Sequence, residues 1–237
     1  MDTKFRNILK KYNDKKVLEI NDLTVKQGEI VSIVGNNGAG KTTTFRLMLD
    51  LIKATAGLVT FGNFVVSKSE NWKKYVGAFL DNDFLIDFLR PEEYFNFVGS
   101  LYSMKQRQTK AKLLDYSHFF NDEIMNNGKL IRELSSGNKQ KVGIVSALMH
   151  DPQIIILDEP YNMIDPTSKL KLNAMLKRIN AKHNTTIFIS SNILEPVMDV
   201  STRIILLEKG IIISDKQVDD NYIAELNSYF LENIYAA

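Results

Sequence analysis

Eight residues, Gly35-Asn36-Asn37-Gly38-Ala39-Gly40-Lys41-Thr42, constrain this chain more than any other stretch. They lie between the largely apolar run Ile30–Val34 and helix-compatible residues at 43–52. Glycines let a backbone turn tightly and bring its N–H groups against an anion, and a helix starting just after adds its positive N-terminal end. A buried strand, an anion-binding loop and a helix are therefore predicted in that order.

The spacing is G-x-x-x-x-G-K-[ST], the phosphate loop of P-loop NTPases. In that pattern Lys41 reaches the β and γ phosphates as a point charge, the Thr42 hydroxyl takes a place on Mg²⁺, and Thr43 adds a phosphate contact. A surface turn with an exposed lysine is the plain alternative, and the strand–loop–helix setting weighs against it.

The rest of the chain sets the bounds. Its 237 residues suffice for one substantial core, or a core carrying an inserted subdomain. Lys and Arg total 30 against 28 Asp and Glu, a net charge of +2 that points to no nucleic-acid partner. The basic segment 10–16 reads as a solvated turn. Without cysteine there are no disulfides and no thiolate metal sites. His118, His150 and His183 are scattered, without metal-ligand spacing. No run approaches the roughly 18–20 apolar residues of a membrane span, and residues 1–16 lack the apolar centre of a signal peptide. A cytosolic protein is expected.

Residues 17–25 alternate as a strand, and 58–66 with Gly62-Asn63 read as a hairpin after a first helix that ends at Ala56-Gly57. A short helix at 72–75 and a strand at 76–80 follow. Residues 83–143 change character, with aromatic residues and then helical spacing of Leu113, Tyr116 and Phe120, and read as a helical insertion. Strands resume at 153–157, 186–190, 203–207 and 211–214. Strands alternating with helices argue for an α/β fold with a mostly parallel sheet. The stripe Tyr222, Ile223, Leu226, Tyr229 and Phe230 reads as a helix packed on its own domain.

Two more stretches bear on chemistry. Ile154-Ile155-Ile156-Leu157-Asp158-Glu159-Pro160 is a continuous apolar run ending in two carboxylates, at the strand end where open α/β sheets bind ligands. Asp158 would hold Mg²⁺, directly or through water, and Glu159 would polarise an attacking water as general base. The alternative is a pair of acids capping the next helix. Upstream, Leu134-Ser135-Ser136-Gly137-Asn138-Lys139-Gln140-Lys141 opens a helix with small residues, either a cap or a second anion site.

With Met163-Ile164-Asp165-Pro166, these stretches occur in the order and spacing of the ATP-binding subunit of ABC transporters, which the chain resembles from about residue 12 to 210. The resemblance implies a single nucleotide-binding domain over 1–237. It has a P-loop core at 1–82 and 144–215 with an N-terminal antiparallel β subdomain, a helical subdomain at 83–143 and a helical tail at 216–237. It implies a head-to-tail dimer sandwiching ATP, in which Ser135, Ser136 and the Gly137 N–H serve the nucleotide bound at Lys41 of the other chain. Tyr12 stands where the family stacks an aromatic on adenine, unless it is an ordinary strand-edge tyrosine. Asp165 matches a dimer-contact aspartate. The implied partners are a second ATPase subunit, identical or paralogous, and a separate integral membrane subunit gripped through the helical insertion. The implied location is peripheral, on the cytoplasmic face of the membrane.

Two positions depart from that pattern. Asp81 stands where most members carry a glutamine that touches Mg²⁺ and the water. Asn192 stands where a histidine contacts the γ-phosphate. Asp can still ligate Mg²⁺ but adds negative charge, and Asn donates a hydrogen bond without carrying a positive charge. Slow hydrolysis with ATP binding retained is the expectation. An acid at the position of Asp81 looks like the subfamily of bacitracin-resistance, lantibiotic-immunity and related antimicrobial-peptide exporters, which is small and pairs with separate membrane subunits; the short tail here is expected to leave no room for an added regulatory domain after Gly210. ABC ATPases of DNA repair or translation carry long coiled coils or two cassettes, and neither is read in this sequence. An ATP-binding switch with little hydrolysis is the remaining alternative, favoured by Asp81 and Asn192 and opposed by Lys41 and Glu159.

Overall fold

The computed structural model describes residues 1–120 and 123–235. Ten strands and eight α-helices follow one another as β1 (Thr3–Tyr12), β2 (Lys15–Val25), β3 (Ile30–Val34), α1 (Lys41–Met48), β4 (Ala56–Phe61), β5 (Phe64–Val65), β6 (Val76–Phe79), α2 (Pro91–Leu101), α3 (Gln106–Leu114), α4 (Ser117–Phe120), α5 (Ser136–Leu148), β7 (Ile154–Leu157), α6 (Pro166–His183), β8 (Thr186–Ser191), α7 (Glu195–Val200), β9 (Arg203–Glu208), β10 (Ile211–Gln217) and α8 (Asp220–Tyr235). The strands form one sheet in the order β5-β4-β1-β2-β10-β9-β3-β8-β7-β6.

The stretch from β9 to β6 is parallel throughout, and the β1, β2, β4 and β5 side is antiparallel. Parallel strands need crossover helices, which cover both faces and explain why the strand sequences read as unbroken apolar runs. In β7, Ile155 and Leu157 join the core that holds α5 and α6, while Ile154 and Ile156 join the core that holds α1. The same alternation divides β3, where Ile30 and Val34 face one core and Val31 and Ile33 the other.

Several boundaries differ from expectation. The first helix ends at Met48 rather than at Ala56-Gly57, which instead opens β4. Asp50 adopts φ 53, Leu51 N–H reaches the Arg46 carbonyl (2.9 Å) and Asp50 N–H reaches that of Leu47 (3.3 Å). This is a left-handed helix stop of the kind glycine usually marks, here made by an aspartate. Strand β1 had no sequence signal, since polar residues interrupt its alternation and Asn7 lies at φ 49. It pairs with both β2 and β4, so the basic segment 10–16 is the end of a hairpin. Only Asn13-Asp14, both at positive φ, form the turn. The subdomain boundary expected at 143/144 falls inside α5, which runs unbroken to Leu148. In α8, Tyr222 and Leu226 are buried, and Tyr229 and Phe230 pack against the same core.

Helix α1 is anchored by Phe45 and Met48, both fully buried. Truncating a buried phenylalanine costs about 3–5 kcal/mol. Phe45→Ala is expected to lower the unfolding midpoint by roughly 10 °C, read from the fluorescence of Trp72, the single tryptophan, which is itself buried with its Nε1–H on the Val66 carbonyl (3.1 Å).

Candidate functional site

The four parallel strands β3, β8, β7 and β6 bring their C-terminal ends to one edge of the sheet. Gly35 follows β3, Asp158 and Glu159 follow β7, Asn192 follows β8, and Asp81 comes two residues after β6. Four segments distant in sequence meet there because parallel pairing aligns strand ends, the usual place for ligands in such sheets.

Between β3 and α1 the loop wraps an open cleft of about 330 Å³ lined by Tyr12, Val17, Asn37, Gly38, Ala39, Gly40, Lys41, Thr42, Thr43 and Glu159. Gly40 caps α1 at φ 112, a conformation that L side chains rarely adopt. A larger cavity of about 590 Å³ lies among α2, α3 and α4 and shares no residue with this cleft. Lys41, Thr42 and Glu159 line the smaller one.

Lys41 is 5% exposed, and its ammonium has three partners: the Gly35 carbonyl (2.7 Å), the Asn36 carbonyl (3.3 Å) and Glu159 Oε1 (3.2 Å). The two loop carbonyls accept hydrogen bonds from the ammonium, and Glu159 pairs with its charge. Glu159 Oε2 accepts from the Asn192 N–H (3.2 Å), and Asn192 Nδ2 lies 3.4 Å from Asn37 Oδ1. Lys41, Glu159, Asn192 and the loop are thus one connected set. Glu159 sits at φ 46, a left-handed conformation that costs a non-glycine residue about 1 kcal/mol or more.

Asp158 is buried, its carboxylate accepting from the Ser190 hydroxyl and its N–H donating to the Phe79 carbonyl (2.9 Å). The donors available to a cation here are hard oxygens, Asp158 and the half-buried Thr42 hydroxyl. Among the described residues no group of three His, Cys, Asp or Glu could hold a metal ion. Hard oxygens of this kind fit Mg²⁺, which binds through one or two protein oxygens shared with substrate phosphates.

Other expected residues lie apart. Asp81 caps its own turn, Oδ1 accepting from the Asp83 N–H (3.2 Å), and no hydrogen bond among the described residues joins it to Lys41, Thr42, Asp158 or Glu159. Tyr12 ends β1 at the mouth of the cleft, 48% exposed, with the Lys10 ammonium 4.5 Å from its ring centroid. Ser135 caps α5, accepting from the Asn138 N–H (3.3 Å), and Ser136 is exposed beside it. At Gly137 a Cβ would lie 2.4 Å from the Met163 carbonyl, so glycine is required by that close approach. No hydrogen bond among the described residues links 135–137 to the loop of the same chain.

Sequence reasoning passed over two residues. Gln140, buried on α5, donates from Nε2 to the Glu159 carbonyl (3.1 Å), and Ser190, fully buried on β8, accepts from the Glu159 N–H (2.8 Å). The available signal was a polar side chain ending an otherwise apolar strand beside the two acids.

Asp165 is the N-cap of α6, accepting from the Ser168 N–H (2.9 Å) and hydroxyl, with Lys141 at 3.7 Å. The Ser168 hydrogen bonds, first the hydroxyl and then the N–H, hold its carboxyl down at about pKa 2. A carboxyl depressed on folding adds stability above its unfolded value near 4, and that stability is lost as pH falls through 2. Asp165→Ala is expected to cost about 1 kcal/mol at pH 7, with the difference from wild type shrinking between about pH 4 and 2, as measured by urea unfolding.

Comparison with known proteins identifies the family and the fold. The family model for the ABC transporter matches residues 18–162. The ABC transporter ATP-binding protein NatA of Bacillus subtilis is 31% identical over 236 residues, spanning 95% of this chain and 95% of its own. The bacitracin transport ATP-binding protein BcrA of Bacillus licheniformis is 30% identical over 231 residues, spanning 97% of this chain and 73% of its own. Among solved structures, an ATP binding subunit of an ABC transporter matches with a TM-score of 0.87 at 23% identity, covering 98% of this chain and 99% of the other. A dimeric ATP-binding cassette in a post-hydrolysis state bound to ADP and Pi matches with a TM-score of 0.82 at 24% identity, covering 92% and 99%. Both structures share the fold, including the curled, mostly parallel sheet. The phosphate loop, the paired acids beside it and the family match over most of the chain lead to one conclusion: this chain belongs to the ABC transporter family, as one of its ATP-binding cassette ATPases.

Proposed function

We propose that this cassette binds ATP with Mg²⁺ in the cleft at Lys41, closes on a second cassette, and drives a separate integral membrane subunit that exports peptides or other membrane-active compounds. The observation that carries the catalytic part is the Lys41–Glu159 pair, with Asn192 on the other carboxylate oxygen.

An incoming phosphate competes with Glu159 for the charge of Lys41. As the ammonium turns to phosphate oxygens, Glu159 is released to take a proton from the attacking water. The loop N–H groups and the N-terminus of α1 hold the phosphates in place. When bound, Mg²⁺ supplies positive charge that offsets the phosphates, with Thr42 and Asp158 as its protein oxygens. Asp81, as a further oxygen donor, would have to leave its own turn to reach it.

The dimer is supported by Ser135 and Ser136, which are exposed and, among the described residues, make no hydrogen bond to their own loop. They are available to the γ-phosphate held by another copy or a paralogue, and one solved cassette of this fold is a dimer bound to ADP and Pi. Phe84, Phe88, Phe97 and Leu101 leave apolar surface exposed in the helical segment, suited to gripping a membrane subunit from the cytoplasmic side. No helix among the described residues is long and apolar enough to cross a membrane. The bacitracin transport protein BcrA supports peptides as cargo. A near-balanced charge of +2 argues against nucleic acid.

Asn192 also favours a second reading, a switch that binds ATP and turns it over slowly, because its amide is neutral where a charged donor would stabilise the transition state. Turnover of the cassette with its co-purified membrane subunit separates the two. Glu159→Gln is expected to abolish hydrolysis while ATP still binds. Asn192→His is expected to raise kcat about tenfold, the worth of one charge-assisted contact. Unchanged turnover in Asn192→His would remove Asn192 as the cause of slow hydrolysis, and a wild-type rate that Glu159→Gln cannot reduce would favour the switch.

A further inference from the structure

Glu159 is held in a left-handed backbone conformation by contacts at both its N–H and its carbonyl. Its N–H donates to Ser190 Oγ (2.8 Å), and its carbonyl accepts from Gln140 Nε2 (3.1 Å). The Ser190 hydroxyl gives its single proton to the Asp158 carboxylate, which can only accept, and this leaves the oxygen lone pairs facing the Glu159 N–H. One buried oxygen therefore joins the carboxylate that would hold the cation to the backbone of the residue that would act as base. Ser190 stands on β8, directly beside β7, and Gln140 is carried by α5, the helix that opens with Ser135–Gly137. Neither lines the cleft, so each would act only through Asp158 and Glu159.

We propose that Ser190 and Gln140 are positioning residues for hydrolysis, clamping Glu159 at φ 46 so that its carboxylate faces Lys41 and Asn192. Ser190 additionally orients Asp158 toward the cation. Without the two clamps the Glu159 backbone relaxes toward negative φ and its carboxylate swings off the line of attack. ATP itself is gripped by the loop, so loss of the clamp does not weaken its binding. Because Gln140 shares α5 with Ser135–Gly137, a displacement of that helix when a second cassette docks is transmitted directly to the Glu159 carbonyl. The proposal rests on the reading of Glu159 as general base.

Groups that orient metal-binding residues from behind contribute roughly 10–100-fold to activity or metal affinity. Ser190→Ala, Ser190→Thr, Gln140→Leu and Glu159→Gln are compared with wild type in the cassette bound to its membrane subunit. The readouts are kcat, KM for ATP, equilibrium binding of a fluorescent ATP analogue without Mg²⁺, and the Mg²⁺ concentration that half-saturates its tightening. Ser190→Ala is expected to lower kcat at least tenfold and raise the Mg²⁺ requirement several-fold, with Mg²⁺-free binding weakened by no more than twofold. Ser190→Thr, which keeps the hydroxyl, is expected to retain most of kcat. Gln140→Leu is expected to lower kcat without moving the Mg²⁺ requirement, and it carries the test if Ser190→Ala does not fold. A kcat within twofold of wild type in Ser190→Ala and Gln140→Leu overturns the clamp, as does a loss matched by equally weakened Mg²⁺-free binding. Should Glu159→Gln alone leave turnover intact, the base reading fails and the clamp of Glu159 fails with it. A collapse in Glu159→Gln beside normal Ser190→Ala and Gln140→Leu enzymes removes only the clamp.

Discussion

A lysine ammonium almost entirely removed from water must be paired, because an isolated buried charge costs several kcal/mol. Lys41 meets this demand with two loop carbonyls and Glu159. Much of the local architecture is arranged to make those partners available. The glycine-rich loop curls so that its own carbonyls face inward, and β7 ends at the point where Glu159 can reach across. The same arrangement leaves the ammonium ready to exchange one anionic partner for another, which is what a phosphate-binding site requires.

The parallel sheet makes that encounter possible. Strands β3, β8, β7 and β6 run in one direction, so the residues after each one collect on a single edge although they lie far apart in the chain. Helices on both faces keep the strands dry and their ends fixed. The antiparallel β1 and β2 add Tyr12 and Val17 to one wall of the cleft. Helix α5 ties the exposed Ser135–Gly137 segment to the Glu159 backbone through Gln140.

Local pattern made much of this readable. Gly35–Thr42 has a spacing that few other functions use, and the apolar run into Asp158-Glu159 matched a strand buried on both faces. The misreadings have physical causes. Helix α1 stops at an aspartate in a left-handed conformation, where a glycine would have been visible. Strand β1 is held by neighbours on both sides rather than by its own alternation.

The sequence by itself determined the chemistry of the loop, the paired acids and the family, because spacing along one strand–loop–helix unit is a local property. Tertiary structure alone decided which side chains meet. That Glu159 pairs with Lys41, that Asn192 lies against Asn37, and that Ser190 and Gln140 hold the Glu159 backbone all depend on strand order and helix placement. These contacts join residues 19 to 155 positions apart. No local periodicity encodes such pairings, since they arise only when the sheet aligns its strand ends and the helices close over it.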